Sequence, residues 1–154
     1  MIDPKEKNIS VSESKPEGFN PSTSVVGCYI KSDDKYLFLK KAKGRNSELT
    51  WGVAGGRVEK NESPQSAVIR EVYEETGIKI DLPRVIHSQT LYVINPYFCD
   101  YTLHLYLYDG YKSQKVKLSD EHTDFTWVSL DEAKKLPLLL GGIKSLTLFE
   151  KNIE

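Results

Sequence analysis

Short β-branched or aromatic runs alternate along the chain with polar stretches that contain glycine, proline or aspartate. The runs "STSVVGCYIK" and "YLFLKK", separated by the polar "SDDK", predict a β-hairpin. The stretch "LTWGVAGG" predicts a short strand that ends in two glycines. Two aromatic runs interrupted by Asn95–Pro96, and a later run "FTWVSL", predict further strands. Strands therefore dominate the middle of the chain.

Helix signals are interspersed among these strands. Pro64 after Ser63 is typical of a helix start, because proline lacks the N–H that the first turn leaves unsatisfied, and Gly77 is typical of a helix end. A short helix is expected from Asp131 until Pro137 ends it, and "IKSLTLFEK" predicts a terminal amphipathic helix. No repeat is visible. The pattern predicts an α+β (mixed α/β) domain.

The first twenty residues differ from the rest, being polar, charged and interrupted by Pro4 and Pro16. We expect residues 1–20 to form a flexible N-terminal tail and leave open whether its tip packs on the body. Residues 21–154 are expected to form one domain, since 154 residues suffice for one substantial core.

Composition limits the function classes. Hydrophobic residues at 39% and charged residues at 28% are those of an ordinary globular protein. The net charge is −1, without the basic stripe of a nucleic-acid-binding protein, so no nucleic-acid partner is expected. No apolar run approaches the roughly 20 residues that span a bilayer, so no membrane partner is expected. A cytoplasmic location is the resulting expectation, and a homodimer remains open.

The helix predicted from Pro64 carries three carboxylates near its end, where the helix dipole disfavours negative charge by roughly 0.3–1 kcal/mol each. At about 100° per residue they lie in one arc of the helix. These carboxylates are Glu71, Glu74 and Glu75. The opposite side is expected to pack on a sheet and carries Val68, Ile69, Val72 and Tyr73.

Such an acidic arc is either a solvated face or a cation site. Clustered carboxylates are ligands for hard divalent cations such as magnesium or calcium. A bound cation would turn both the unfavourable helix-dipole interaction and the repulsion between the carboxylates into favourable interactions. The glycines just upstream would let backbone approach a ligand closely. A locally unfavourable arrangement, such as carboxylates clustered at the negative end of a helix, often marks a functional site. We interpret the arc as a metal site.

The same residues match a known pattern. From Gly56 to Ile78 the chain reads G-x5-E-x7-R-E-U-x-E-E-x-G-U, where U is a bulky apolar residue. This stretch resembles the Nudix box of the Nudix hydrolases at every position. "WGVAGG" before it and "FTWVSLDEA" after it are similar to that family too, so the resemblance covers residues 22–150.

The resemblance implies an α/β/α sandwich with a mixed sheet. It also implies hydrolysis, with Mg²⁺ or Mn²⁺, of a nucleoside diphosphate linked to another moiety. A nucleoside triphosphate, a modified nucleotide or a nucleotide sugar would be the small-molecule partner. The rival interpretations are a Nudix-fold nucleotide-binding or regulatory module without turnover and an RNA-processing role.

The resemblance also implies roles for residues of the box. The metal ligands would be Glu71, Glu74, Glu75 and the Gly55 carbonyl. Arg70 would hold the loop by pairing with Glu62 or Glu59, and its positive charge would also contribute to catalysis. Glu71 is one candidate for the general base.

A further acid is expected from outside the box. The loop "KLSDEHTDFTW" offers Asp120, Glu121 and Asp124. Glu121 is preferred, by similarity to "E-H-x-x-x-W" segments, as an extra metal ligand or the general base. For His122 we favour packing or hydrogen bonding over metal ligation.

Basic and aromatic residues complete the candidates. Lys43 and Arg45 precede the box and form either a solvated loop or a contact to phosphate or nucleotide. Arg57, after the glycine pair, is assigned to the same substrate-binding role. One or two of the aromatic side chains in residues 92–111 are candidates to stack on a nucleobase, although most belong to the core.

Overall fold

The structure is a computed structural model that describes residues 2–44, 48–111 and 114–154. Within these ranges lie eight strands, three α-helices and two 3-10 helices, the latter at Pro4–Asn8 and Leu82–Arg84. The strands are β1 (Ser10–Ser12), β2 (Thr23–Ser32), β3 (Lys35–Lys41), β4 (Trp51–Gly52), β5 (Ala54–Arg57), β6 (Val85–Ile94), β7 (Tyr101–Tyr108) and β8 (His122–Val128). The helices are α1 (Pro64–Thr76), α2 (Leu130–Ala133) and α3 (Gly142–Ile153).

The strands form one mixed sheet in the order β1-β6-β7-β2-β3-β4, with β5 paired to β2 and β8 paired to β3. β2 and β7 are parallel, from Thr23 opposite Tyr101 to Ile30 opposite Tyr108. The other pairings are antiparallel. The predicted hairpin is β2–β3, and the α+β (mixed α/β) class is confirmed.

The two strands of the hairpin stay paired only next to their turn. β2 and β3 are joined at Lys31–Tyr36 and Ser32–Lys35. Farther along, β4 pairs with β3 while β5 pairs with β2, so residues 51–57 run between the two strands. The sheet therefore splits beyond the hairpin, and a cleft opens at the split.

Helices cover both faces of the sheet. α1 packs its Val68 and Val72 into a buried cluster that includes Tyr106 and Tyr108 of β7. On the opposite face, Leu105 of β7 packs in a second cluster with residues of α2 and α3. This alternation along β7 follows from the two-residue period of a strand. The arrangement is the expected α/β/α sandwich.

α1 has the predicted ends. The Ser63 hydroxyl oxygen accepts a hydrogen bond from the Ser66 N–H at 3.1 Å, and Gly77 adopts a left-handed φ of 74°. The predicted apolar face is partly wrong, because the Tyr73 side chain is 51% exposed. Val68, Val72 and Glu75 share the face toward the sheet, and Tyr73 lies one 100° step beyond Val72.

The two later helices differ slightly from their predicted starts. α2 begins after Ser129 rather than at Asp131, because Ser129 and Glu132 form a reciprocal capping box. α3 begins at Gly142, one residue before the predicted segment "IKSLTLFEK". Among the described residues, no helix is long and apolar enough to cross a membrane.

Part of the segment expected to be a flexible tail is packed on the domain. β1 pairs with β6, with Ser10 opposite Ile94 and Ser12 opposite Tyr92. Ile9 is 2% exposed. Local composition missed this packing because its partners lie in distant parts of the chain. The domain boundary at residue 20 stays a prediction.

The packing of Phe149 in the second buried cluster, between the sheet and α3, can be tested by mutation. The Phe149 ring stacks on Tyr29 with centroids 3.7 Å apart and is fully buried. Phe149→Ala should lower the free energy of unfolding by about 3–5 kcal/mol, as measured by urea denaturation. Ile153→Ala, in the same helix at 38% exposure, should cost less than about 1 kcal/mol. Equal losses would contradict the described packing of α3.

Candidate active site

Glu75 occupies the buried face of α1, although the sequence grouped it with an exposed acidic arc. Its side chain is 3% exposed, and Oε1 accepts a hydrogen bond from the Gly55 N–H at 2.9 Å. Burial raises the pKa of the Glu75 carboxyl to about 8. The Gly55 N–H opposes this rise, while the negative charges of Glu71 and Glu121 add to it. α1 thus places the Glu75 carboxyl group, which has a strongly raised pKa, directly against β5.

The two glycines of β5 leave room for Glu71 on one side and for the backbone of β2 on the other. A Cβ on Gly56 would lie 2.4–2.6 Å from the Glu71 carboxyl atoms, and one on Gly55 would lie 2.1 Å from the Val26 carbonyl oxygen. Side chains at either position would therefore push β5 away from α1 or from β2. Burial raises the pKa of Glu71 as well, and contact with Arg70 opposes that rise.

Arg70 connects the helix to the loop before it. Its Nε and Nη2 donate to the two carboxylate oxygens of Glu62 at 2.8 and 2.9 Å. Its Nη1 donates to Glu71 at 2.9 Å and to Glu74 at 2.7 Å. Nη2 also donates to the Arg57 carbonyl oxygen at 3.1 Å. The hydrogen bonds that Glu62 accepts from Arg70 and from the Glu59 N–H lower the pKa of the Glu62 carboxyl to about 2.

This geometry changes the explanation of the acidic arc. From the sequence, a metal ion alone was expected to compensate for the clustered carboxylates. In the structure the Arg70 guanidinium already offsets part of the repulsion, through its contacts to Glu71 and Glu74. Glu74, with a side chain that is 53% exposed, faces Arg70 and solvent rather than the sheet. Within the arc, Glu71 and Glu75 are the carboxylates that point inward.

Glu121 reaches this group from the far end of the chain. β8 pairs with β3, with His122 opposite Lys41, and the Glu121 carbonyl oxygen accepts from the Ala42 N–H at 2.9 Å. Glu75, Glu121 and His122 can each offer one ligand atom, and these three atoms lie within 4.8 Å of one another. Three potential metal-ligating side chains are thus brought together.

The neighbouring acids are placed differently. Asp120 and Asp124 are exposed, and Asp124 accepts a hydrogen bond from the Phe125 N–H at 2.8 Å. Neither belongs to the group of Glu75, Glu121 and His122 in the part of the chain that the structure describes. The expectation that His122 packs in the structure agrees with its buried side chain. His122 also lies close enough to the Glu75 and Glu121 carboxylates to share a metal ion with them. Its adjacency to Glu121 was the available signal.

A cavity of about 820 Å³ opens beside these groups, in the split of the sheet. Lys41, Glu75 and His122 line it on the side of the carboxylates. Farther along, its lining includes Tyr97, Phe98 and Tyr101. Tyr101 pairs with Thr23 of β2, and Gly55, next to the carboxylates, pairs with Gly27 of the same strand. Because a strand rises by about 3.3 Å per residue, the aromatic part and the carboxylate part of the cavity are roughly 13 Å apart along β2. The cavity is long enough for an elongated ligand.

The predicted substrate-binding residues have different positions. Arg57 lines the cavity, with its guanidinium carbon 5.6 Å from the Phe98 ring centroid. Lys43 is exposed at the turn after β3 and is not among the described residues that line the cavity. Arg45 lies outside the described residues. Lys41, which belongs to the same basic stretch before the box, lines the cavity near Glu75.

Comparison with known proteins identifies the family. The profile of the NUDIX domain matches residues 21–149. The chain belongs to the Nudix hydrolase family. This confirms the resemblance and places the chain among pyrophosphohydrolases of the Nudix type.

Two bacterial relatives align over most of this Nudix protein. An uncharacterized Nudix hydrolase, YvcI of Bacillus subtilis, is 30% identical over 76% of this chain and 72% of its own length. The CTP pyrophosphohydrolase of Escherichia coli is 29% identical over 81% of this chain and 89% of its own length. Among solved structures, a MutT protein from Methanosarcina mazei is 26% identical with a TM-score of 0.67, covering 86% of this chain and 94% of its own.

The buried carboxyl of Glu75 predicts a specific pH dependence of stability. Its folded pKa is about 8 against an ordinary 4.5, so between these values the folded state holds a proton that the unfolded state has lost. Stability without metal should therefore fall as the pH rises through this window. Glu75→Gln cannot ionise and should gain thermal stability relative to wild type, increasingly from pH 5 to pH 8.

Melting temperatures measured in chelator across this range test the prediction. Ile153→Ala serves as the control, since its offset from wild type should not follow pH. A Glu75→Gln offset that stays constant with pH would show that the carboxyl is ionised in the folded protein.

The Arg70 contacts predict a stability effect of their own. Arg70→Ala leaves Glu62 and Glu71 without their counter-charge and should destabilise the metal-free protein by about 1–3 kcal/mol in urea denaturation. Arg70→Lys should not restore this loss, because one ammonium group cannot replace the planar fork. Lys35→Ala, which removes the exposed 3.5 Å pair with Glu132, should cost at most about 1 kcal/mol. An Arg70→Ala loss no larger than that of the control would contradict a structural role.

Proposed function

We propose that this Nudix protein is a divalent-metal-dependent hydrolase that cleaves the pyrophosphate of a nucleoside diphosphate linked to another moiety. The observation that carries the proposal is the meeting of ligand atoms of Glu75, Glu121 and His122 within 4.8 Å, beside a cavity that Glu75 and His122 line. Glu71 adds a fourth potential ligand beside Gly56. An elongated cavity with carboxylates at one part fits a diphosphate held through cations.

The donor set fits a hard cation. Carboxylate oxygens predominate, as Mg²⁺ and Mn²⁺ prefer, and their mutual repulsion leaves a site that favours positive charge. Glu71, Glu75, Glu121 and the Gly55 carbonyl would hold the metal, while Glu74 stands at the outer edge beside Arg70. The bound ion would neutralise the charge of the diphosphate and polarise its P–O bonds.

The remaining roles belong to side chains of the chain itself. The Glu121 carboxylate would accept the proton of the attacking water, as the general base, with Glu71 as the alternative. Arg70 would keep Glu71 and the preceding loop in position through its contacts to Glu62 and the Arg57 carbonyl. Lys41 and Arg57, both at the cavity, would bind phosphate or the nucleotide.

The substrate is proposed from the relatives. The relative named CTP pyrophosphohydrolase aligns over 81% of this chain, so CTP is the first nucleotide to test. A panel of nucleoside triphosphates, nucleotide sugars, ADP-ribose and dinucleoside polyphosphates, assayed with Mg²⁺ or Mn²⁺, would identify the preferred moiety. Turnover that survives excess chelator would refute metal dependence. Nucleotide binding without turnover would support the regulatory alternative.

Glu75, Glu121 and the exposed Asp124 give a matched mutational test. Glu75→Gln and Glu121→Gln should each lower kcat by about two or more orders of magnitude, as expected for the loss of a preorganised charged group. Asp124→Asn, on the same strand as His122 but exposed, should cost much less. If Glu121 is the base, its variant should also lose the acidic limb of the pH–rate profile. Near-wild-type rates for Glu121→Gln would move the base to Glu71.

A further inference from the structure

The N-terminal segment, residues 2–12, forms part of the wall of the cavity. Asp3 and Lys5 line it together with Tyr97 and Phe98. The segment lies outside residues 21–149, which match the Nudix domain. This part of the wall therefore lies outside the region that matches the family profile.

Buried polar contacts hold the segment in place. The Glu6 side chain is 6% exposed, and its two carboxylate oxygens accept from the Gly141 N–H at 2.9 and 3.1 Å. The Lys144 ammonium donates to the Glu6 carbonyl oxygen at 2.9 Å and to the Ile9 carbonyl oxygen. A buried carboxylate is tolerated only when such partners are present. The segment is thus held at two places: by these contacts around Glu6 and by the pairing of β1 with β6.

The segment also holds the loop between β6 and β7. The Asn8 side-chain amide donates to the Tyr97 hydroxyl at 2.5 Å, and the Lys5 ammonium lies 5.1 Å from the Tyr97 ring centroid. The Tyr97 N–H donates to the Asn95 side-chain oxygen at 2.9 Å. Lys5 and the Tyr97 ring therefore keep a defined relative position at the cavity wall.

The chemistry of this part of the wall differs from that of the carboxylate part. Tyr97 and Phe98 are 45% and 56% exposed although they line a cavity, so they present aromatic surface to a ligand. Exposed rings suit stacking of a flat heteroaromatic group. The Lys5 ammonium beside them can donate hydrogen bonds to the carbonyl or ring-nitrogen acceptors of such a group. These features together fit a nucleobase.

We propose that the N-terminal segment completes the base-binding end of the substrate cleft and that Lys5 is a specificity-determining residue there. The inference rests on the proposed function, since it assumes that the phosphates lie at Glu71, Glu75 and Glu121. With the phosphates at those carboxylates, the base reaches the Lys5–Tyr97 pair farther along the cavity. Lys5 then favours bases that present acceptors on the edge facing it.

The test compares Lys5→Met with Lys7→Met. Lys7 lies in the same short helix, is exposed and is not among the described residues that line the cavity, so it is a matched control. Dissociation constants for the four nucleoside monophosphates and for base-free ribose 5-phosphate are measured by calorimetry with Mg²⁺. Lys5→Met should weaken the best nucleoside monophosphate about three- to thirty-fold and leave ribose 5-phosphate unchanged. Lys7→Met should change neither, and Lys5→Arg should restore most of the affinity.

Three results would overturn the inference: equal affinities in Lys5→Met and Lys7→Met, an equal loss for ribose 5-phosphate, or wild-type binding that does not depend on the base. Turnover is measured in parallel on the nucleotide panel. Absence of turnover in wild type refutes the hydrolase proposal but leaves the binding comparison readable, so the two failures are distinguishable.

Discussion

Glu75 keeps its carboxyl group between α1 and β5, where the Gly55 N–H donates to it at 2.9 Å. A buried carboxyl is unfavourable in its charged form, and two further acids, Glu71 and Glu121, face the same space. Much of the local sequence follows from this constraint. Gly56 leaves room for the Glu71 carboxyl group, Gly55 lets β5 lie against β2, and the apolar residues of α1 hold the helix in the orientation that brings Glu75 inward.

Arg70 makes the arrangement tolerable in the protein by itself. Its guanidinium bridges Glu59 and Glu62 in the loop to Glu71 and Glu74 on the helix, so one cation serves four carboxylates. Glu75 lies outside these contacts, and its raised pKa is the remaining cost. The box therefore combines acids that Arg70 neutralises with Glu75, which Arg70 does not contact. Under the proposed metal binding, stability and metal affinity would depend on the same few side chains.

The split of the sheet determines where a substrate can lie. Because residues 51–57 separate β2 from β3, a cavity opens beside the carboxylates and continues toward the loop between β6 and β7. The Nudix match begins at residue 21, yet residues 2–12 line the farther part of the cavity through Asp3 and Lys5. The cavity therefore extends beyond the region that matches the family profile.

Local signals were sufficient for the hairpin, for both ends of α1 and for the box, since a proline, a glycine or a spacing of charges acts within one or two turns of chain. The sequence therefore determined the family and the candidate ligands of the helix. It did not determine which acids turn inward: Glu74 and Glu75 are adjacent, and only packing against β5 buries one and exposes the other. The meeting of Glu121 and His122 with Glu75 depends on the pairing of β8 with β3, and the packing of residues 4–12 depends on the Gly141 amide and the edge of β6. Such contacts join distant parts of the chain, which leave no periodic pattern in the sequence, so only the tertiary structure decided them.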